Sequence, residues 1–306
     1  MGSYLLRRLM VLITTILVIA TVVFFGIHFA PGDPASITLG LHATDETIAE
    51  VRHELGLDRP LIVQYLSFML GLVRGDLGQS FHSEQPVLQM VATAFVPTLL
   101  LVSVSMALAL LAGGIIGALA AVYENTPIDA LARILAVVGV SVPVFWAALL
   151  FIILFSVHLN WLPVAGYGSW QQIVLPAIAL SGQTMAFVAR LFRSNLIDEK
   201  RQDYVRTARS KGIRERRVWW RHILRNSLLS VVTLVGVRMG TLLGGAVIIE
   251  NIFAWPGLGT LVVTAVSARD YPVVLGGVIW IAVMVTLINV LVDLIYTVVD
   301  PKIVYS

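Results

Sequence analysis

Apolar residues fall along this chain in long uninterrupted blocks separated by short polar segments. The first block runs from Leu9 to Ala30, and later ones cover about 97–122, 131–157, 172–194, 227–250 and 273–299. About 20 helical residues are needed to cross ~30 Å of hydrocarbon, so each block predicts one membrane-spanning helix. Two segments break the rhythm. Residues 31–96 open on Pro-Gly-Asp-Pro and carry eight acids against three arginines. Thr44 followed by Asp45 and Glu46 predicts a helix start and Gly56 its end, while Leu61 to Val73 repeats apolar residues at helical spacing. This segment reads as a small helical domain outside the bilayer.

The second break is Asp203 to Asn226, DYVRTARSKGIRERRVWWRHILRN. Between Arg190 and Arg225 stand twelve Lys/Arg and four acids, over half of the 21 basic residues in the chain. A hydrocarbon core cannot hold such a run, and a Lys/Arg excess marks the cytoplasmic side. Arg7-Arg8 place the N-terminus on that side too. Six crossings then return the C-terminus there and leave 31–96 outside. Loop 123–130, with Glu124 and Asp129, is neutral to slightly adverse for this orientation.

Two short helices fit the basic segment. One runs from about Asp203 to Lys211 and stops at Gly212, a residue that takes the left-handed conformation without strain. On a continuous helix Ala208 and Gly212 would share a small-sided patch. The other begins near Glu215 and presents Val218, Trp219, His222 and Ile223 as an apolar stripe. On composition alone the segment could equally be a basic amphipathic stretch lying on anionic lipid. After the fifth block, Pro256 suits a helical first turn, with Leu258, Leu261, Val262, Ala265 and Val266 as the apolar face and Arg269 near the end. That helix is too short to cross.

Within the blocks, Gly113, Gly114 and Gly117 permit close helix approach, and Ser141-Val142-Pro143 predicts a kink. Arg238 lies about eleven residues into its span, ~16 Å deep. An ionisable residue at that depth is costly and points to function. It either meets a carboxylate of a cargo or is bonded to helix carbonyls or water. Glu250 falls at the outer boundary of the same span, where it reads as solvated.

A hydrophobic share of 58%, a charged share of 13% and a mean hydropathy of +0.88 exclude an ordinary soluble domain. The net charge of +3 originates in the basic segment, so it reports membrane orientation and gives no reason to expect nucleic acid. The first block is too long for a signal peptide and lacks a small-residue cleavage site, so it reads as a retained span. There is no cysteine, no GxxxxGK[ST] phosphate loop and no HExxH. His28, His42, His53, His82, His158 and His222 are dispersed, without metal-ligand spacing.

Ala208, Gly212 and Leu224 match the loop of ABC-importer permeases that has an Ala, a Gly four residues on and a Leu-Pro beyond. Arg206-Thr207 stand where Glu-Ala is usual, and Arg225 where Pro is. TARSKG followed by HILRN resembles the form found in the dipeptide/oligopeptide/nickel branch, which also includes glutathione carriers. PGDP, GLDRPLIVQYLSF and GDLGQS resemble the same branch in order and spacing. So do Gly244-Gly245, ENIFAWPGLG and the tail around Asp293, Tyr296 and Asp300-Pro301-Lys302.

The resemblance implies an all-α polytopic membrane protein with six transmembrane helices and the type I importer permease fold. Residues 1–30 would hold the first span, 31–96 the external domain facing a binding protein, and 97–306 the core, with a coupling loop at 196–226. It implies that Tyr204, Thr207, Ala208, Lys211, Gly212, His222, Leu224 and Arg225 seat in a groove of an ATP-hydrolysing subunit. The external-face motif would be Glu250, Pro256, Gly257, Gly259, Arg269 and Asp270, and the translocation pathway would use Ser141, Pro143, Gln183 and Arg238. The implied partners are a second homologous permease, two ATP-binding subunits on the cytoplasmic side, an external solute-binding protein and the lipid of a bacterial inner membrane. ATP and Mg would be bound by those subunits, leaving this chain without cofactor, metal or catalytic residue. The implied cargo is a dipeptide or short peptide, with glutathione or a nickel chelate as alternatives. An ion-coupled secondary carrier is the competing class. It would need acids or histidines deep in the spans, whereas the deep group here is an arginine.

Overall fold

The computed structural model describes residues 2–29 and 44–299, with side chains for 10–29, 44–228, 231 and 234–290. The Pro-Gly-Asp-Pro motif, Asp33, His42 and Asp300-Pro301-Lys302 lie outside the described residues, as do the side chains of Asp293 and Tyr296. Among the described residues the regular elements are helices, with an isolated bridge between Gln79 and Pro86. Five helices are long and apolar enough to cross a membrane: Met10–Phe29, Val87–Val122, Trp170–Lys200, Leu234–Ile252 and Tyr271–Val290. The bent pair Pro127–Ser141 and Val144–His158, broken at 105°, makes a sixth where it is counted as one span.

The chain divides into two compact units. The first comprises Met1–Thr98 and Trp255–Thr286. It contains α1 (Gly2–Phe29), α2 (Asp45–Glu54), α3 (Leu61–Arg74), the first turns of α4 (Val87–Val122), then α11 (Leu258–Ala268) and most of α12 (Tyr271–Val299). The Thr44 hydroxyl caps α2 by accepting from the Thr47 N–H at 3.3 Å. Gly75, at φ +76°, ends α3 in the left-handed conformation. An aromatic cluster joins α1 to α3, with Phe24 5.4 Å from Tyr65 and 5.8 Å from Phe68 between ring centres. Val87, Val91, Leu258, Ala265, Val273 and Val274 form the buried core under α4, α11 and α12.

Helix α4 begins ten residues before the predicted span and carries Pro97 in its interior. The Trp255 indole N–H donates to the Pro97 carbonyl at 3.0 Å, and the Leu258 N–H to the Thr98 hydroxyl at 2.8 Å. Pro256 stands before the cap Gly257 and outside the first turn of α11, where the sequence placed it. Val266, assigned to the apolar face of that helix, is exposed.

The second unit, Leu99–Ala254 with Leu287–Ser306, carries the rest. Its elements are α5 (Pro127–Ser141), α6 (Val144–Phe151) continued by a wide turn Ile152–His158, α7 (Trp170–Lys200), α8 (Asp203–Ser210), α9 (Glu215–Val218) and α10 (Arg225–Ile252). Helix α7 is the hub, packing against α5, α6 and α10. Its approach to α4 is at backbone distance: a Cβ at Gly113 would lie 2.6 Å from the Met185 carbonyl oxygen, and one at Gly117 2.6 Å from that of Ala189. Only glycine fits either place. The expected kink is the 105° break, since Pro143 has no N–H to continue α5. Glu250, expected in solvent, is fully buried at the end of α10 and has bonding partners.

Candidate functional site

The basic segment is folded back on the helices that precede it. Helix α8 starts at Asp203, whose acid suits a first turn, and ends at Ser210. Gly212 follows at φ +72°, its N–H donating to the Arg209 carbonyl at 2.9 Å, and Ile213 reaches the Ala208 carbonyl at 3.2 Å. Gly212 therefore turns the chain out of the helix, and it shares no helical face with Ala208. The second short helix starts at Glu215 as its carboxylate predicts, then widens over Trp219–Leu224 before α10.

Val205, Ala208, Val218 and Ile223 are buried and pack with Ala121, Val188, Phe192 and Leu196. Four small-to-medium apolar side chains thus pin a strongly cationic segment to α4 and α7. Ala208 belongs to this internal contact. Tyr204, Thr207, Lys211, Gly212 and Arg225 are exposed, while His222 and Leu224 are half-buried. Arg214, Arg216, Arg217 and Arg221 are also exposed, together with Trp220. Trp220 was not singled out in the sequence, though an adjacent Trp pair with only one member on the apolar stripe was a usable signal.

Ion pairs stiffen the segment. Arg209 grips Glu215 through both carboxylate oxygens, at 2.6 and 3.1 Å, across the Gly212 turn. That bond holds the Glu215 carboxyl below its ordinary range. The Tyr204 hydroxyl donates to Glu199 and accepts from the Asn226 amide at 2.9 Å, tying α8 to both neighbouring helices. Burial, then the Glu199 carboxylate, pushes the Tyr204 phenol up. Glu124, between α4 and α5, accepts from Lys200 at 3.0 Å and Arg201 at 2.8 Å, and the Lys200 bond chiefly depresses its pKa. Asp129, fully buried, takes the Arg193 guanidinium at 2.5 and 2.8 Å and the Asn125 N–H at 3.1 Å. Both acids that argued against the expected orientation are neutralised by the basic end of α7.

Three of the four pathway candidates gather at the break. The Ser141 hydroxyl donates back to the Val137 carbonyl at 2.9 Å, and the Gln183 amide donates to the Val142 carbonyl at 3.4 Å beside Pro143. A cavity of about 440 Å³ opens there, with Val138, Gly139, Val142, Ala147 and Gly182 in its wall beside Gln183. Arg238, on α10, lies away from the break and against α7. Its guanidinium carbon sits 3.4 Å from the ring centre of Phe187, and that of Arg190 sits 5.1 Å from the same ring. Phe187 and Arg190 follow Gln183 at four and seven residues, one face of a helix. That spacing was readable, but Arg190 was counted with the basic segment instead.

In the first unit, Asp270 accepts from the Ser80 hydroxyl at 2.5 Å and the Phe81 N–H at 3.2 Å. His82 reaches the Ala268 carbonyl at 2.7 Å, and Arg269 closes α11 in the left-handed conformation at φ +56°. Asp270 of the external motif, with the Ala268 carbonyl, therefore clasps the 76–86 loop. Asp270→Ala orphans the buried Ser80 hydroxyl and the half-buried Phe81 N–H, a loss of about 1–3 kcal/mol. Faster hydrogen exchange at 80–86, with α7 unchanged, is the expected outcome; unchanged exchange in that loop refutes the clasp. Among the described residues no three His, Cys, Asp or Glu side chains gather in a way that could hold a metal ion.

Residues 113–305 match the family model of binding-protein-dependent transport system inner membrane components, and residues 1–103 match the model of its N-terminal part. The glutathione transport system permease protein GsiC of Salmonella typhimurium (strain LT2) is 44% identical over 306 residues, covering 100% of both chains. Its namesake from Escherichia coli (strain K12) is 41% identical with the same coverage. Two solved structures share the fold. An inward-facing MetNI methionine ABC transporter gives a TM-score of 0.57 at 17% identity, over 70% of this chain and 97% of that one. An amino acid ABC transporter with histidines gives 0.52 at 16%, over 70% and 94%.

Proposed function

Since the chain belongs to the family of binding-protein-dependent transport system inner membrane components, with the all-α type I permease fold of ABC importers, we propose that it carries glutathione or another short peptide inward at the expense of ATP hydrolysed by partner subunits. The observation that supports this cargo is 44% identity, from end to end, to a glutathione permease. In this reading the segment 203–226 faces the cytoplasm and seats on an ATP-binding subunit through its exposed cations and Trp220. Both termini lie on that side, the clasped 76–86 loop faces an external solute-binding protein, and a second permease completes the pathway. ATP and Mg are bound by the partners.

The buried stripe of 205–223 makes the coupling mechanical. A push on α8 is delivered through Val205 and Ala208 to Phe192 and Leu196 of α7, and so to the spans. No side chain of this subunit performs chemistry in that sequence. Labelled glutathione uptake by cells expressing the whole importer tests the reading. Uptake that ceases on ATP depletion yet survives an uncoupler is expected. The reverse pattern would establish an ion-coupled carrier and sink the ATP-driven reading.

A further inference from the structure

Helix α7 carries two arginines one turn apart, and their fates differ. Arg193 is matched by Asp129 through two short bonds. Arg190 has no carboxylate partner among the described residues, and neither does Arg238 of α10, whose Nε is buried without a hydrogen bond. Both of these cations instead lie against the ring of Phe187. A ring face holds a guanidinium in place but accepts none of its N–H donors. Two like charges held at one ring, Arg238 half-buried and Arg190 exposed, next to an arginine that has its acid, form a site short of an anion. Gln183, one turn before Phe187 on the same face of α7, lines the cavity at the 105° break.

We infer that Arg238 and Arg190, held against Phe187, form a carboxylate-binding station for the cargo within the membrane. This rests on the peptide reading above. Glutathione and free peptides each bring at least one carboxylate, and a planar guanidinium takes such a group in a bidentate grip. The two cations would bind the passing anion only while it lies between α7 and α10.

The test uses the complete importer, with its ATPases and binding protein, in proteoliposomes and with labelled glutathione as the probe. Arg238→Gln and Arg190→Gln are expected to lower kcat/KM for uptake by about tenfold or more, since each removes a charge-assisted contact to the carboxylate. ATP hydrolysis stimulated by the loaded binding protein should stay at the wild-type level in both. Arg238→Lys keeps the charge and loses the fork, so it should recover part of the uptake. Wild-type uptake in both glutamine variants overturns the station. So does a lysine variant as poor as glutamine with ATP hydrolysis equally lost, because that marks a purely structural arginine. A wild-type importer that moves no glutathione overturns the cargo reading, and this site with it.

Discussion

Asp129→Ala leaves little folded permease in the membrane. The substitution strands the Arg193 guanidinium in a site that now offers it no acceptor, and it frees the Asn125 N–H. Breaking one side of a buried ion pair costs about 3–5 kcal/mol, a large part of the ~5–15 kcal/mol that stabilises a domain. Immunoblots of membrane fractions and the midpoint of unfolding in detergent check this. Replacing both partners, Asp129→Leu with Arg193→Met, should recover most of the loss, since neither charge is then stranded. Equal loss in the single and double variants would show that the pair itself is not what matters.

Gly212→Val has the opposite profile: normal abundance with lost uptake. Nothing lies within 4 Å of a Cβ at this position, so no clash is expected. The penalty is backbone strain, about 1–3 kcal/mol for a side chain held at positive φ, and greatest for a β-branched residue. Relief of that strain reorients α9 against α8 and breaks the Arg209–Glu215 grip, while the buried stripe keeps the segment attached. ATP hydrolysis should persist, uncoupled from glutathione uptake. Gly212→Asn, which adopts this conformation readily, should transport nearly as wild type. Undiminished uptake in the valine variant removes Gly212 from the coupling path.

The spans were legible because membrane solvent leaves a coarse mark: a long apolar run can do little else. The same logic recovered the start of α2 at Thr44, the turn at Gly212 and the second short helix at Glu215, where capping chemistry is local. It misplaced the start of α4, because the helix runs on through Pro97, a residue that by itself reads as a helix start. It put Glu250 in water because depth along a span says nothing of what packs around it. Glu124 and Asp129 were counted as loop charges, whereas their partners Lys200 and Arg193 lie more than sixty residues away. Arg238 was found by depth alone. Phe187 and Arg190 were missed because an aromatic within a span is unremarkable until something is seen resting on its face.

Gly113 and Gly117 set α4 and α7 main chain to main chain, with no cushion of side chains between them. Around Gly113 and Gly117 such a seam has no side chains to shear. Helix α7 is 31 residues long, ~46 Å at 1.5 Å per residue, and it runs directly into α8. In the proposed coupling, a nudge applied at Tyr204 would travel up α7 as far as Pro176, where the helix loses one bond of its ladder.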